Sequence, residues 1–193
     1  MLNSLIALPF ALLPNAQAAP APPPKPTFSY TFLQAGVISI EHDAVNESSE
    51  GLAFRGSYDI TPNVNLTADF GFDSLDVNGL KSDRRDIAFG AGYHMPLHKK
   101  VDIYGQAAIV SARIEALGQK TTDTGFSVEA GLRFMPGEFV ELNAAVHHMD
   151  AGGSTTNLGL GARGYFSDAF SLGLATRLDS DGNAYGVNLR YEF

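Results

Sequence analysis

Residues 125–134 read GFSVEAGLRF, and within this stretch every second residue is apolar. The apolar parity consists of Phe126, Val128, Ala130, Leu132 and Phe134. The other parity consists of Ser127, Glu129, Gly131 and Arg133. Because successive side chains of a β-strand point to opposite faces, the stretch predicts a strand with one apolar face and one polar face.

The same alternation recurs from residue 28 to the C-terminus, and no helical period persists there. The clearest runs are residues 52–60, 66–73, 86–95, 140–147, 158–163, 170–177 and 185–193. Two less regular runs cover residues 28–40 and 101–115. The pattern predicts an all-β domain of about ten strands, with eight as the alternative. Strands of about 11 residues would cross a membrane at a tilt and would leave connections of about six residues.

The connections between these runs alternate in kind. Turns are predicted around Pro62, Pro96, Pro136 and Asp168, and each has an aromatic residue beside it. Polar loops are predicted between them, over residues 41–50, 76–83, 116–124, 151–156 and 179–183, and several of these loops are acidic. An up-and-down antiparallel arrangement follows, with the turns at one end of the sheet and the loops at the other.

The N-terminus predicts export from the cytoplasm. Residues 5–13 are mostly apolar, and Ala16-Gln17-Ala18 is the small-x-small pattern that a signal peptidase accepts. Residues 1–18 are therefore interpreted as a signal peptide. Residues 19–27 contain PAPPPKP and predict an extended, proline-rich periplasmic spacer. The folded domain is expected over residues 28–193.

Alternation alone leaves open which face lies inside. A soluble barrel or sandwich buries its apolar face, whereas an outer-membrane barrel turns that face to lipid. Aromatic residues gather at the turn ends of the strands, and charges of both signs occupy the opposite face in mid-strand, which favours the membrane barrel. In that interpretation the mid-strand charges form a network in the lumen, made of Arg55, Asp69, Asp86, Glu129, Arg133, Glu141, Arg163, Arg177 and Arg190.

Composition narrows the function classes. The chain has 193 residues and a formal net charge of −8, which would repel a nucleic-acid backbone, so no nucleic-acid partner is expected. It contains no cysteine and therefore no disulfide or thiolate metal site. No cofactor and no metal site are predicted, because the acidic loops lack the full calcium-binding pattern.

The last eight residues, GVNLRYEF, alternate up to a terminal aromatic, with Val187, Leu189, Tyr191 and Phe193 on one face. Here the chain resembles the small bacterial outer-membrane β-barrel proteins of the porin-like superfamily. Residues 125–134 resemble a recurrent strand of that family, which ends in G-x-R followed by an aromatic residue. Residues 158–166 resemble the same strand. The resemblance implies a transmembrane barrel in the outer membrane, in contact with lipid and lipopolysaccharide. It also implies that Tyr191 and Phe193 belong to a signal read by the barrel-assembly machinery.

Three functions remain open from the sequence. The first is a structural or narrow-pore, porin-like barrel, expected to be monomeric. The second is a surface adhesin that uses the outer loops. The third is a lipid-A or surface hydrolase built on His147, His148, Asp150 and Ser154. Because the matching position after His148 is an aspartate and not the serine of the barrel deacylases, no enzymatic activity and no catalytic residue are predicted.

Overall fold

The computed structural model describes residues 28–42, 47–77, 79–180 and 182–193. The predicted signal peptide and proline-rich spacer lie outside the described residues. Within those ranges no helix is long and apolar enough to cross a membrane. The structure consists of ten strands: β1 Phe32–His42, β2 Glu47–Thr61, β3 Val64–Val77, β4 Leu80–His98, β5 Val101–Ala116, β6 Gln119–Phe134, β7 Val140–Asp150, β8 Ser154–Tyr165, β9 Phe170–Leu178 and β10 Asn183–Glu192.

The ten strands form one closed, antiparallel, up-and-down barrel. Each strand pairs with its neighbours in sequence, and β1 closes the sheet by pairing with β10. A row of paired residues that starts at Asp102 on β5 returns to β5 at Ile114, twelve residues further along. This stagger tilts the strands by about 40° and confirms the predicted barrel with ten strands.

The barrel is apolar outside and charged inside. Ile109 and Leu174 on the outer surface are 70% and 61% exposed, whereas Arg133 and Glu141 in the lumen are 5% and 4% exposed. A soluble protein has the opposite arrangement, because burial in its core is favourable for apolar side chains and unfavourable for unpaired charges. The outward face therefore fits lipid, and each strand alternates because it separates lipid from lumen.

The connections are shorter than the sequence predicts. The loops predicted over residues 76–83 and 116–124 are continuous with the strands, so that only residues 78–79 and 117–118 remain between strands. Strand β4 extends to His98 through an irregularity at Pro96, so the predicted Pro96 turn lies at Lys99 and Lys100 instead. The strands continue to pair beyond the lipid-facing apolar surface, because the backbone N–H and C=O groups of a hairpin bond to each other in water as well as in lipid. The first and last described residues, Phe28 and Phe193, lie at the end of the barrel that carries the Pro62 turn. We expect this end to face the periplasm, as short turns do in outer-membrane barrels, and we call it the periplasmic end.

Candidate functional site

The lumen is the candidate site, and its periplasmic end contains a segment that precedes the first strand. Residues 28–31, here called the N-terminal segment, were expected to belong to a strand but instead leave the wall at β1 and enter the lumen. Phe28 and Tyr30 are buried. The backbone carbonyl of Ser29 accepts a hydrogen bond from Arg133 Nη1 at 2.9 Å. Because Arg133 lies on β6, five strands from β1 in either direction, the segment crosses the barrel.

Tyr30 is held from three sides of the lumen. Its ring stacks on His94 of β4 with centroids 3.6 Å apart and planes 10° from parallel. Its carbonyl accepts a hydrogen bond from the Ser57 hydroxyl of β2 at 2.5 Å. Burial raises the pKa of the Tyr30 hydroxyl to about 12, so the side chain stays neutral over the physiological range. His94 in turn contacts Asp59, with Nε2 and Oδ1 3.1 Å apart.

Arg133 joins the N-terminal segment to the barrel wall. Its Nε and Nη2 donate to the two carboxylate oxygens of Glu141, at 3.0 and 2.7 Å. Its guanidinium carbon lies 4.9 Å from the centre of the Phe28 ring and 4.6 Å from that of Tyr30. A bidentate ion pair with two aromatic rings over the cation satisfies this buried guanidinium, which would otherwise be strongly destabilising.

Further polar side chains extend this cluster around the wall. The Tyr165 hydroxyl lies 2.7 Å from Glu141 Oε2 and 3.1 Å from Glu192 Oε1. Arg163 and Arg190 both donate to Gln34 Oε1, each with a shortest distance of 2.9 Å. We call this connected group the periplasmic network; it comprises Gln34, Arg133, Glu141, Arg163, Tyr165, Asn188, Arg190 and Glu192.

The remaining charges predicted for the lumen do not join that network. Arg55 pairs with Asp69 on the neighbouring strand, and its Nη1 lies 4.0 Å from Glu129 Oε1 on β6. Asp86 pairs with Arg84, two residues before it, at 3.1 Å. Arg177 has no ion pair among the described residues. The nine predicted residues thus divide into the periplasmic network, a mid-lumen group, one local pair and one separate arginine.

Above the periplasmic network the lumen widens into a cavity of about 1230 Å³. We call this cavity the outer chamber. Its inward-facing lining contains small residues where the periplasmic network has long ones: Gly51, Gly161, Ala175 and Gly186, with Ile38 and Asn143. Beside the N-terminal segment lies a smaller pocket of about 60 Å³, lined by Tyr30, Phe32, Arg55, Tyr104 and Arg133 among others. The cavity towards the outer end is therefore much larger than the pocket beside the N-terminal segment.

Comparison with known proteins agrees with a barrel that is apolar outside and charged inside. Residues 4–193 match the family model described as outer membrane protein beta-barrel domain. The chain belongs to that family. The protein is accordingly located in the bacterial outer membrane. No curated protein sequence matches the chain significantly.

Solved structures of other outer-membrane proteins share the barrel. Neisserial surface protein A is 13% identical, with a TM-score of 0.50 over 86% of this chain and 98% of its own. An outer membrane channel from Pseudomonas putida F1 is 11% identical, with a TM-score of 0.50 over 90% of this chain and 100% of its own. OprG from Pseudomonas aeruginosa is 14% identical, with a TM-score of 0.45 over 84% of this chain and 94% of its own. At such identities the likeness to the first two, each with a TM-score of 0.50, shows the fold alone.

The residues considered for a hydrolase do not form a catalytic group. His147 faces the lumen and pairs across the sheet with Asn157, whereas His148 faces outward. His148 Nδ1 lies 2.8 Å from the Thr156 hydroxyl. Among the described residues no hydrogen bond joins Ser154 to either histidine. A nucleophile and its base must lie within hydrogen-bond reach, and these side chains offer no such pair.

The two C-terminal aromatics of the family barrel lie together on its lipid face. Tyr191 and Phe193 are exposed, and their ring centroids are 5.8 Å apart. Phe170 of β9 lies 5.0 Å from the Tyr191 ring, measured between centroids. The Phe193 backbone N–H donates to the Thr31 carbonyl at 3.4 Å, which connects the C-terminus to the N-terminal segment. The aromatics form part of a belt at the periplasmic interface, where such rings are favoured.

Sequence reasoning did not find the neutral members of the site. Gln34, Tyr165 and Asn188 have the inward parity, but alternation gives no reason to select them among other inward residues. Phe28 and Tyr30 directly follow the proline-rich spacer, and their aromatic character was the only available signal. Their contacts run across the lumen to β4 and β6, so no local pattern could have shown them.

Proposed function

We propose that the protein is a narrow-pore, porin-like channel whose periplasmic exit is restricted by the N-terminal segment. The observation that carries the proposal is the contrast between an outer chamber of about 1230 Å³ and the 60 Å³ pocket beside Tyr30. A barrel that served only as a structural element would gain packing by filling its lumen throughout, because unfilled space forfeits contacts between atoms. Glycine and alanine along one wall keep the chamber open.

The restriction has the features of a filter. Its groups are charged and fixed by hydrogen bonds, and the pocket that remains beside it is lined by Tyr30, Arg55 and Arg133. Pore selectivity commonly arises from a short layer of charged and polar groups. The proposal therefore predicts passage of ions and very small solutes and exclusion of larger ones.

An adhesin receives less support. A recognition surface needs exposed loops, but the outer connections are only residues 43–46, 78–79, 117–118, 151–153 and 179–182. The absence of enzymatic activity stays a prediction, as does a monomeric state.

Planar-bilayer recording on the refolded mature chain tests the pore. Discrete openings of small conductance, together with no swelling of proteoliposomes in disaccharide solution, would support a narrow pore. Swelling in the disaccharide would contradict the narrow exit. Silence from the parent and from a variant that lacks residues 28–31 would overturn the pore and favour a structural role.

We also propose that Tyr191 and Phe193 act in assembly as well as in packing. Deleting Phe193 removes one lipid-facing ring, so the free energy of unfolding should fall by only about 1–2 kcal/mol. The deletion should refold in detergent into a heat-modifiable barrel, yet accumulate in the periplasm when expressed in cells. Leu172→Ala, which removes a lipid-facing side chain of β9 outside the C-terminal strand, is the control. Normal outer-membrane levels of the Phe193 deletion would count against an assembly signal.

A further inference from the structure

Two arginines face outward, side by side, at the outer end of strands β4 and β5. Arg85 and Arg113 are direct cross-strand partners, and both side chains are exposed. Arg85 has the parity of Ile87 and Phe89, which belong to the lipid-facing surface. The two guanidinium groups therefore project from the outside of the barrel and take no part in the lumen.

The height of the pair places it at the outer membrane interface. Arg85 lies eight residues from Tyr93, an exposed aromatic residue towards the periplasmic end of β4, with Ile87, Phe89 and Ala91 between them on the same face. Eight residues at a rise of about 3.3 Å and a tilt of about 40° span roughly 20 Å along the barrel axis. An outer-membrane barrel has an apolar band about 25 Å tall, so Arg85 and Arg113 lie at its outer edge.

Neither arginine of this pair forms an ion pair within 4.0 Å in the described part of the chain. Like charges directly opposite each other on a sheet are destabilising. Asp83 and Glu115 follow two residues further out, but no ion pair within 4.0 Å joins either carboxylate to Arg85 or Arg113, and Glu115 pairs with Lys120 at 3.1 Å. The Arg85 guanidinium lies 5.6 Å from the centre of the Phe72 ring. An external anion between the two arginines would remove their repulsion.

The charge of the pair also distinguishes it from its surroundings. The chain carries a net charge of −8, and on other strands the outward positions near this level include the acidic Glu50 and Asp150. An anionic membrane surface would be repelled by these carboxylates and attracted by the arginine pair. Thr122, the cross-strand partner of Arg113, adds a hydroxyl donor beside the arginines.

We propose that Arg85 and Arg113 form a binding site for a phosphate group of the glycolipid in the outer leaflet. Guanidinium groups match the geometry of phosphate oxygens with paired hydrogen bonds, and the apolar band below them would hold the acyl chains of the same lipid. The site would fix one lipid molecule against β4 and β5. This inference depends on the location of the protein in the outer membrane and does not depend on an open pore.

Binding of purified lipopolysaccharide to the refolded barrel in detergent tests the site. The double variant Arg85→Gln with Arg113→Gln should bind at least about tenfold more weakly. Each basic group near an anionic lipid surface raises the affinity roughly fivefold, and the variant loses two such groups. Lys99→Gln with Lys100→Gln removes the same charge at the opposite end and should leave the dissociation constant unchanged. Heat-modifiable mobility of both variants shows that each is folded.

Two further arms separate the possible anions. The same lipopolysaccharide after phosphatase treatment should bind the parent and the arginine variant equally weakly. Inorganic phosphate alone at millimolar concentration should not displace the intact lipid. Equal losses in the arginine and lysine variants, no loss in either, or displacement of the lipid by inorganic phosphate would each overturn a specific lipid-phosphate site.

Discussion

The two halves of the lumen have the same alternation of inward and outward residues, but long side chains occupy one half and a large cavity occupies the other. In the periplasmic network the inward positions hold arginine, glutamate and tyrosine, whose side chains form hydrogen bonds of 2.7–3.1 Å with other lumen residues. In the outer chamber the inward positions of the neighbouring row hold Gly161, Ala175 and Gly186, and a cavity of about 1230 Å³ remains. Parity decides which way a side chain points, and side-chain size then decides whether the lumen is filled.

The largest expected difference between the two halves is in the free energy of unfolding that is lost when one arginine of each half is replaced. Arg133→Ala should lower the free energy of unfolding by about 3–5 kcal/mol, because the Glu141 carboxylate would remain buried without its partner. Arg177→Ala, at an exposed position with no ion pair among the described residues, should change it by less than about 0.5 kcal/mol. Urea unfolding of the refolded variants measures both.

The double variant Arg133→Met with Glu141→Leu sharpens this contrast. Replacing both partners by apolar residues of similar size removes the unpaired charge, so the double variant should be more stable than Arg133→Ala alone. Equal losses for Arg133→Ala and Arg177→Ala would show that the two halves do not differ in packing.

A smaller difference is expected for added methyl groups. A Cβ atom at Gly173 would lie 2.8 Å from Asn188 Oδ1 and 2.9 Å from Arg163 Nη2, within the periplasmic network. At Gly159, on the chamber side, the nearest atom would be 3.7 Å away. Gly173→Ala should therefore destabilise by about 1–2 kcal/mol, whereas Gly159→Ala should be neutral or stabilising by up to about 1 kcal/mol. Thermal unfolding of the two variants and the parent measures both effects. A higher unfolding temperature for Gly173→Ala than for Gly159→Ala would contradict the comparison.

The smallest effect is expected from narrowing the chamber. Because the narrowest layer dominates the resistance of a pore, Ala175→Phe should lower single-channel conductance by less than about twofold. Tyr30→Ala in the restricted layer should raise conductance by more than that factor. A block of conductance by Ala175→Phe would place the restriction in the chamber instead.

The sequence predicted the barrel well because alternation is a local property that survives in every strand. It could not predict where the strands end, since β4 keeps its pairing for 19 residues and passes beyond the apolar band. It placed Arg133 and Glu141 in one set of lumen charges but could not show that they bind each other while Asp86 binds Arg84. Those pairings depend on register and side-chain reach.

The N-terminal segment was beyond sequence reasoning for a different reason. Phe28 and Tyr30 continue the alternation into β1, so their pattern indicated a longer first strand. Their actual partners, His94 and Arg133, lie on strands that are far away in sequence. Only the closed barrel brings them to the same layer, where aromatic rings over a buried guanidinium are favourable.

The most direct test of the account compares two deletions in planar bilayers. Removing residues 28–31 takes away the segment that crosses the lumen, whereas removing residues 20–26 shortens the spacer and leaves that segment in place. The account predicts that the first deletion raises single-channel conductance by about threefold or more and the second leaves it unchanged, since conductance follows the width of the restricted layer. Equal conductance of the parent and the residue 28–31 deletion, with both proteins folded, would contradict the claim that the N-terminal segment restricts the pore.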